Sequence, residues 1–149
     1  MDVHATLEAP CDADRLFAFV DDLARYSQWC DLVYSALPEN TGPHDYGPAW
    51  AVELRARVGP FARSKLLRMV RTVHDTTHHV AVFERAERDL RKHAPWTLRA
   101  SVDEADGTST LHMHLHYGGA LWTAGVPERA LADQITSGRE RLTALVASR

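Results

Sequence analysis

Three histidines alternate in one short stretch, His112-Met113-His114-Leu115-His116. Imidazole is the commonest metal ligand and the side chain that titrates nearest neutral pH. Two such residues at i and i+2 of a strand can share an ion. Three cannot: at about 3.3 Å per residue, His112 and His116 stand about 13 Å apart, whereas the ligands of one zinc lie about 2 Å from it. The pairing derived below sets Ser101, Arg99 and Thr97 opposite them, and none is a good ligand. The three histidines are expected on a solvent-facing or partner-facing surface, with no metal site. A second group, His78-His79, falls at a turn and adds little.

Arg71 and Glu84 form the other pair able to do chemistry. The strand register below sends both to the inward face as diagonal neighbours. Opposite charges in an interior must pair or carry a large desolvation cost. A buried guanidinium fork can orient a carboxylate or carbonyl, and a buried Glu with a raised pKa can serve as a general base. The plainer readings are a misplaced register or an ion pair at the sheet rim. Four tryptophans add apolar surface. Trp29 reads as core. Trp50 and Trp96 fall on the inward face, as core packing or as pocket walls. Trp122, after Gly118-Gly119-Ala120-Leu121, borders an entrance or anchors the following helix. No phosphate-binding glycine loop, His-Glu-x-x-His or Gly-x-Ser-x-Gly appears.

The elements that must position these residues follow from periodicity and turn chemistry. Val3, Ala5 and Leu7 alternate with His4, Thr6 and Glu8, a half-buried strand that Pro10 stops. Asp12 can cap a helix carrying Leu16, Phe17, Val20 and Leu23, and a second helical turn ends near Trp29. Residues 38–48 hold three prolines and two glycines and read as a loop. From Trp50 to Tyr117 the pattern is strands and short turns. Asp106-Gly107 is a hairpin signal that pairs Val102 with Leu111, Ala100 with Met113, Leu98 with Leu115 and Trp96 with Tyr117. A turn at Gly59-Pro60 puts Trp50, Val52 and Leu54 on one face with Leu67, Met69 and Arg71. A turn at Thr76-Thr77 adds Val80, Val82 and Glu84 to it. From Pro127, a favoured first helical position, Leu131, Ile135, Gly138, Leu142 and Leu145 make one stripe of a long helix. Gly138 serves either close helix–sheet packing or room for a ligand.

The chain has 149 residues, 45% hydrophobic and 25% charged, with a net charge of −3. This suits one globular domain, residues 1–149. No basic stripe invites nucleic acid, no apolar run spans a bilayer, and the N-terminus lacks the pattern of a secretory signal. Cys11 and Cys30 form no framework of bridges. A cytoplasmic location is expected.

The order of strand, two short helices, about six antiparallel strands and a long helix resembles the START-like helix-grip superfamily, especially its polyketide cyclase/dehydrase and lipid-transport branch. The resemblance rests on Ala9-Pro10 with Leu16-Phe17-Ala18-Phe19-Val20 and Asp22, on Tyr26-Ser27-Gln28-Trp29, and on the later layout from Trp50 to the C-terminal helix. It implies an α+β fold in which a curved antiparallel sheet of about seven strands wraps the helix around a cavity. It also implies an interior Arg and Tyr as polar anchors, for which Arg71 with Tyr117 or Tyr34 would stand. Function does not follow from fold. The expectation is a small hydrophobic ligand (lipid, polyketide or aromatic) in the cavity, touching Trp50, Met69, Arg71, Glu84, Trp96, Met113, Tyr117 and Gly138, without a cofactor. The alternative is a cyclase or dehydratase using Arg71 with Glu84 or Tyr117. A third reading makes the histidine strand a docking surface and leaves a homodimer open.

Overall fold

The computed structural model describes residues 1–58, 60–118 and 128–148; Gly59 of the first expected turn, Trp122 and Pro127 lie outside them. Seven strands form one antiparallel sheet in the order β1-β7-β6-β5-β4-β3-β2. They are β1 (Asp2–Ala9), β2 (Val33–Glu39), β3 (Ala49–Val58), β4 (Phe61–Asp75), β5 (Val80–Arg85), β6 (Trp96–Ala105) and β7 (Thr108–Tyr117). Between β1 and β2 come α1 (Ala13–Phe17) and a single 3-10 segment, Leu23–Gln28; α2 (Glu128–Thr136) and α3 (Arg139–Ala147) close the described chain. The sheet curls around the helices as an α+β half-barrel.

β1 alternates as expected, with Val3, Ala5, Leu7 and Ala9 buried. It ends at Pro10, and Asp12 caps α1 through Oδ1, which accepts from the Arg15 amide at 2.8 Å. The helix is shorter than its apolar spacing suggests. Phe19 and Val20 bond back three residues, to Leu16 and Phe17, and Asp22 recaps the chain by accepting from the Ala24 amide. Leu16, Phe17, Val20 and Leu23 are nonetheless all buried. This helical segment carries the chain from one edge strand, β1, to the other, β2.

The loop expected at 38–48 begins two residues late, because Pro38 and Glu39 belong to β2 and pair with Trp50 and Ala49. An edge strand has one unpaired side, so it tolerates proline. The β6–β7 hairpin has the register expected from Asp106-Gly107 throughout. Both turn residues have positive φ, 53° and 80°, as a two-residue hairpin turn requires. In β3–β4, Trp50 pairs with Met69 and Val52 with Leu67, which puts them on one shared face, as expected.

The β4–β5 pair departs from expectation. Asp75 closes the turn by accepting from the amides of Thr77 and His78, and the first pair is Asp75 with Val80. That lengthening alone would keep the face of each residue. A bulge between Arg71 and Val73 does not: an extra residue reverses the side-chain alternation beyond it. Arg71 therefore pairs with Phe83 rather than Val82. Ala81 and Phe83 face inward, both fully buried. Glu84 faces outward and is exposed, which corrects its placement inside and separates it from Arg71.

The C-terminal stripe lies on the sheet, with Leu131, Ile135 and Leu142 buried against a wall that includes β1. The helix is not continuous. It breaks at Ser137-Gly138, after which Val146 is more deeply buried than Leu145. A Cβ added to Gly138 would collide with the backbone carbonyl of Trp29. Glycine is there because two backbones touch, so it makes no room for a ligand, and Gly138 is corrected to a packing residue.

Candidate ligand site

The space enclosed by the inward sheet face, the 3-10 segment and α2 is a void of about 30 Å³. Val52, Leu67, Met69, Trp96, Leu98, Met113 and Leu115 line it from the sheet. Leu23, Tyr26, Cys30, Leu32 and Ile135 line it from the other side. Among these lining residues, Tyr26 and Cys30 bring a hydroxyl and a thiol. The Tyr26 hydroxyl donates to the Val20 carbonyl at 2.8 Å, and burial holds its pKa well above the usual phenol range. Burial pushes the Cys30 thiol up to about 11, so it stays protonated and inert. A void of this size has room for about one water, against the several hundred Å³ of most small-molecule pockets. The ligand-sized cavity expected from the fold is filled by side chains.

A larger space opens at the rim. Arg71, Trp50, Ala49, Pro48, Pro38 and Asp21 border a surface cleft of about 700 Å³, together with residues 39–41 and Asp22. Arg71 is half-buried there, with Nη1 donating to the Asp21 carbonyl at 2.8 Å. It makes no ion pair among the described residues, because the Asp21 carboxylate accepts from His74 instead, at 2.9 Å. Trp50 borders the cleft and pairs with a residue of the void, Met69. It is 4% exposed and set edge-on to Phe83.

The expected site residues thus divide. Met69, Trp96 and Met113 border the void, and Trp50 and Arg71 border the cleft. Tyr117 is buried behind Trp96, its ring stacked at 4.7 Å and its hydroxyl donating to Met1 Sδ. Tyr34 is no interior anchor: it is half-exposed beneath the Arg55 guanidinium, 3.4 Å from the ring centroid. Trp29 is core, with its indole N–H donating to the Phe19 carbonyl.

Sequence reasoning missed two inward cations. Arg85 reaches the interior by the same reversal that turns Glu84 out; it pairs with Met69 and holds Glu87 at 2.8 Å. Lys65, opposite Leu54, brings its ammonium to 6.0 Å from the Trp96 ring. Burial, and then repulsion from Arg85, lower its pKa. Lys65 was open to detection, since it shares the parity of Leu67 and Met69. Arg85 was not, since no residue type announces a bulge.

No family model matches the chain, and no curated protein matches it in sequence. Solved structures do match in shape. TTHA0849 from Thermus thermophilus aligns over 100% of both chains with a TM-score of 0.70 and 14% identity. The ginseng major latex-like protein 151 of Panax ginseng aligns over 97% of this chain and 95% of its own, with a TM-score of 0.68 and 10% identity. Ara h 8.0201 aligns over 100% and 99%, with a TM-score of 0.62 and 12% identity. At such identities the likeness establishes the fold alone, a curled antiparallel sheet gripping C-terminal helices, as expected from the sequence. Among the described residues no helix is long and apolar enough to cross a membrane.

Proposed function

We propose that the chain binds a small, mostly apolar molecule in the helix grip, with Arg71 taking its polar end. One observation carries this reading. Trp50, buried on the inward face and paired with Met69 of the apolar void, also borders an open surface cleft in which the half-buried Arg71 guanidinium has no carboxylate partner among the described residues. Binding requires expansion, because 30 Å³ admits no lipid or aromatic ring. Met69 and Met113 suit that task, since unbranched thioether chains repack at low cost. On this reading, rotation of Trp50 joins cleft and void. The free thiols Cys11 and Cys30 suit a reducing, cytoplasmic setting.

The cyclase or dehydratase alternative needs a proton-transfer group beside the ligand. Glu84 is outside, and Tyr117 is buried behind Trp96 with its hydroxyl on Met1 Sδ. Among the described residues bordering the void there is no carboxylate or imidazole; the carboxylates Asp21, Asp22 and Glu39 border the open cleft and not the void. Binding is the reading we retain. Native mass spectrometry of purified protein tests it, with extraction of any bound molecule and then addition of fatty acids and fused-ring aromatics. A retained or acquired one-to-one adduct is expected. An apo mass that no such compound alters would overturn the proposal.

A further inference from the structure

We propose that the outer face of the β1–β7 pair binds a borderline divalent transition ion such as zinc, through His4, His114, His116 and Asp2. Seen from β6, the histidine strand has only Ser101, Arg99 and Thr97 beside it. Its other neighbour is β1, which sets His4 directly opposite His114 and Asp2 directly opposite His116. Four N/O donors therefore occupy a two-by-two patch on one face of two paired strands. Directly opposed Cβ atoms lie about 4.5–5.5 Å apart in such a pair. An i, i+2 histidine pair with a third imidazole from the adjacent strand can supply three ligands of a tetrahedral site, and the carboxylate supplies the fourth.

The side chains already converge. His114 Nε2 lies 2.7 Å from Asp2 Oδ1, and His116 Nδ1 lies 2.9 Å from the same oxygen. The His4 ring is stacked on His114, with centroids 4.3 Å apart and planes 8° from parallel. In the present side-chain arrangement the four do not form a site: among the described residues no group of three or more His, Cys, Asp or Glu is placed to hold a metal ion, and the Asp2 carboxylate instead bridges His114 and His116. An ion entering there draws the two nitrogens in to about 2.0–2.1 Å, turns Asp2 from acceptor to ligand, and brings His4 off its stack. The side chains of Asp2, His114 and His116 are 40–51% exposed, so they are free to make these turns. The donor set favours zinc, copper or nickel over magnesium and calcium, which take oxygen ligands. Arg99, opposite His114, is the neighbouring cation, and it donates to Ser101 Oγ, towards the His112 end of the strand. His112 itself is held by Asp103 at 3.0 Å and stays out of the site.

Calorimetric titration of the tag-free full chain with zinc chloride tests the proposal, with magnesium chloride as contrast. One zinc per chain is expected, with a dissociation constant in the micromolar range and no response to magnesium. His114→Ala and His4→Gln should each weaken zinc binding at least about tenfold, while His78→Ala, at the remote β4–β5 turn, leaves it unchanged. Should His114→Ala fail to fold, His116→Gln carries the same expectation. Absence of zinc binding, or equal affinity in the ligand variants and the parent, would overturn it.

Discussion

Arg68 and Asp45 are joined by two parallel hydrogen bonds on the outer face of the sheet, Nη1 to Oδ1 at 3.1 Å and Nη2 to Oδ2 at 2.7 Å. The same guanidinium donates to the carbonyls of Ala86 and Asn40, so one side chain of β4 fastens both the β2–β3 loop and the chain after β5. That loop borders the Arg71 cleft through Asn40, Thr41 and Pro48. The Arg68 fork, helped by the Gly42 amide, holds the Asp45 carboxyl well below the usual carboxylate range. A depressed carboxylate pKa stabilises the fold fully above the unfolded value, near 3.8, and that contribution is lost as pH falls below it. Both side chains are under 10% exposed, so Asp45→Asn should cost about 1.5–3 kcal/mol at pH 7. It should also flatten the loss of stability between pH 4 and pH 2. Urea unfolding at several pH values reads both effects.

Gly138→Ala should destabilise the protein although alanine is the better helix former by about 1 kcal/mol. The added methyl meets the Trp29 carbonyl, and forcing backbones apart costs about 1–3 kcal/mol. Expected is a lower urea midpoint with an unchanged slope. A higher midpoint would show that the contact yields.

The bulge in β4 gives opposite expectations for adjacent residues. Phe83 is fully buried against Trp50 and Tyr26, so Phe83→Ala should cost about 3–5 kcal/mol. Glu84→Ala should change stability by less than about 0.5 kcal/mol. The reverse order would restore the simpler register in which Glu84 points inward.

Cys30 reports on the interior. Its thiol is 1% exposed and pushed up to about 11, and the thiolate is the reactive form. At pH 8 it should react with a disulfide reagent far more slowly than free cysteine, and no faster than the void opens. Fast labelling of Cys30 in a Cys11→Ser background would show that the void opens readily.

Much of the fold was legible because its signals are local. Asp106-Gly107 fixes the β6–β7 register through backbone conformation alone, and alternation in β1 needs no partner to be read. The face of β5 was not legible: it depends on one extra residue near Thr72, in a stretch apolar on both parities. The helix break was half-visible, since Gly138 was conspicuous while the Trp29 carbonyl that demands it lies more than 100 residues away. Distance also hid the neighbours of the histidine strand, because Asp2 and His4 reach it only when β1 closes the sheet. Among the residues bordering the void, the inward positions on β3, β6 and β7 followed from pairing, whereas Tyr26 and Cys30 come from a short segment whose inward side no period defines.

The most direct test of the binding account is a fluorescence titration with an apolar fluorophore bearing one carboxylate or sulfonate, comparing the parent with Arg71→Ala and Met113→Trp. Saturable one-to-one binding is predicted, weakened about tenfold by loss of the guanidinium, in keeping with a charged hydrogen bond of about 1.5 kcal/mol. Met113→Trp, which fills the space that the ligand needs, should abolish it. Binding that neither substitution alters, or no saturable binding at all, would contradict the account.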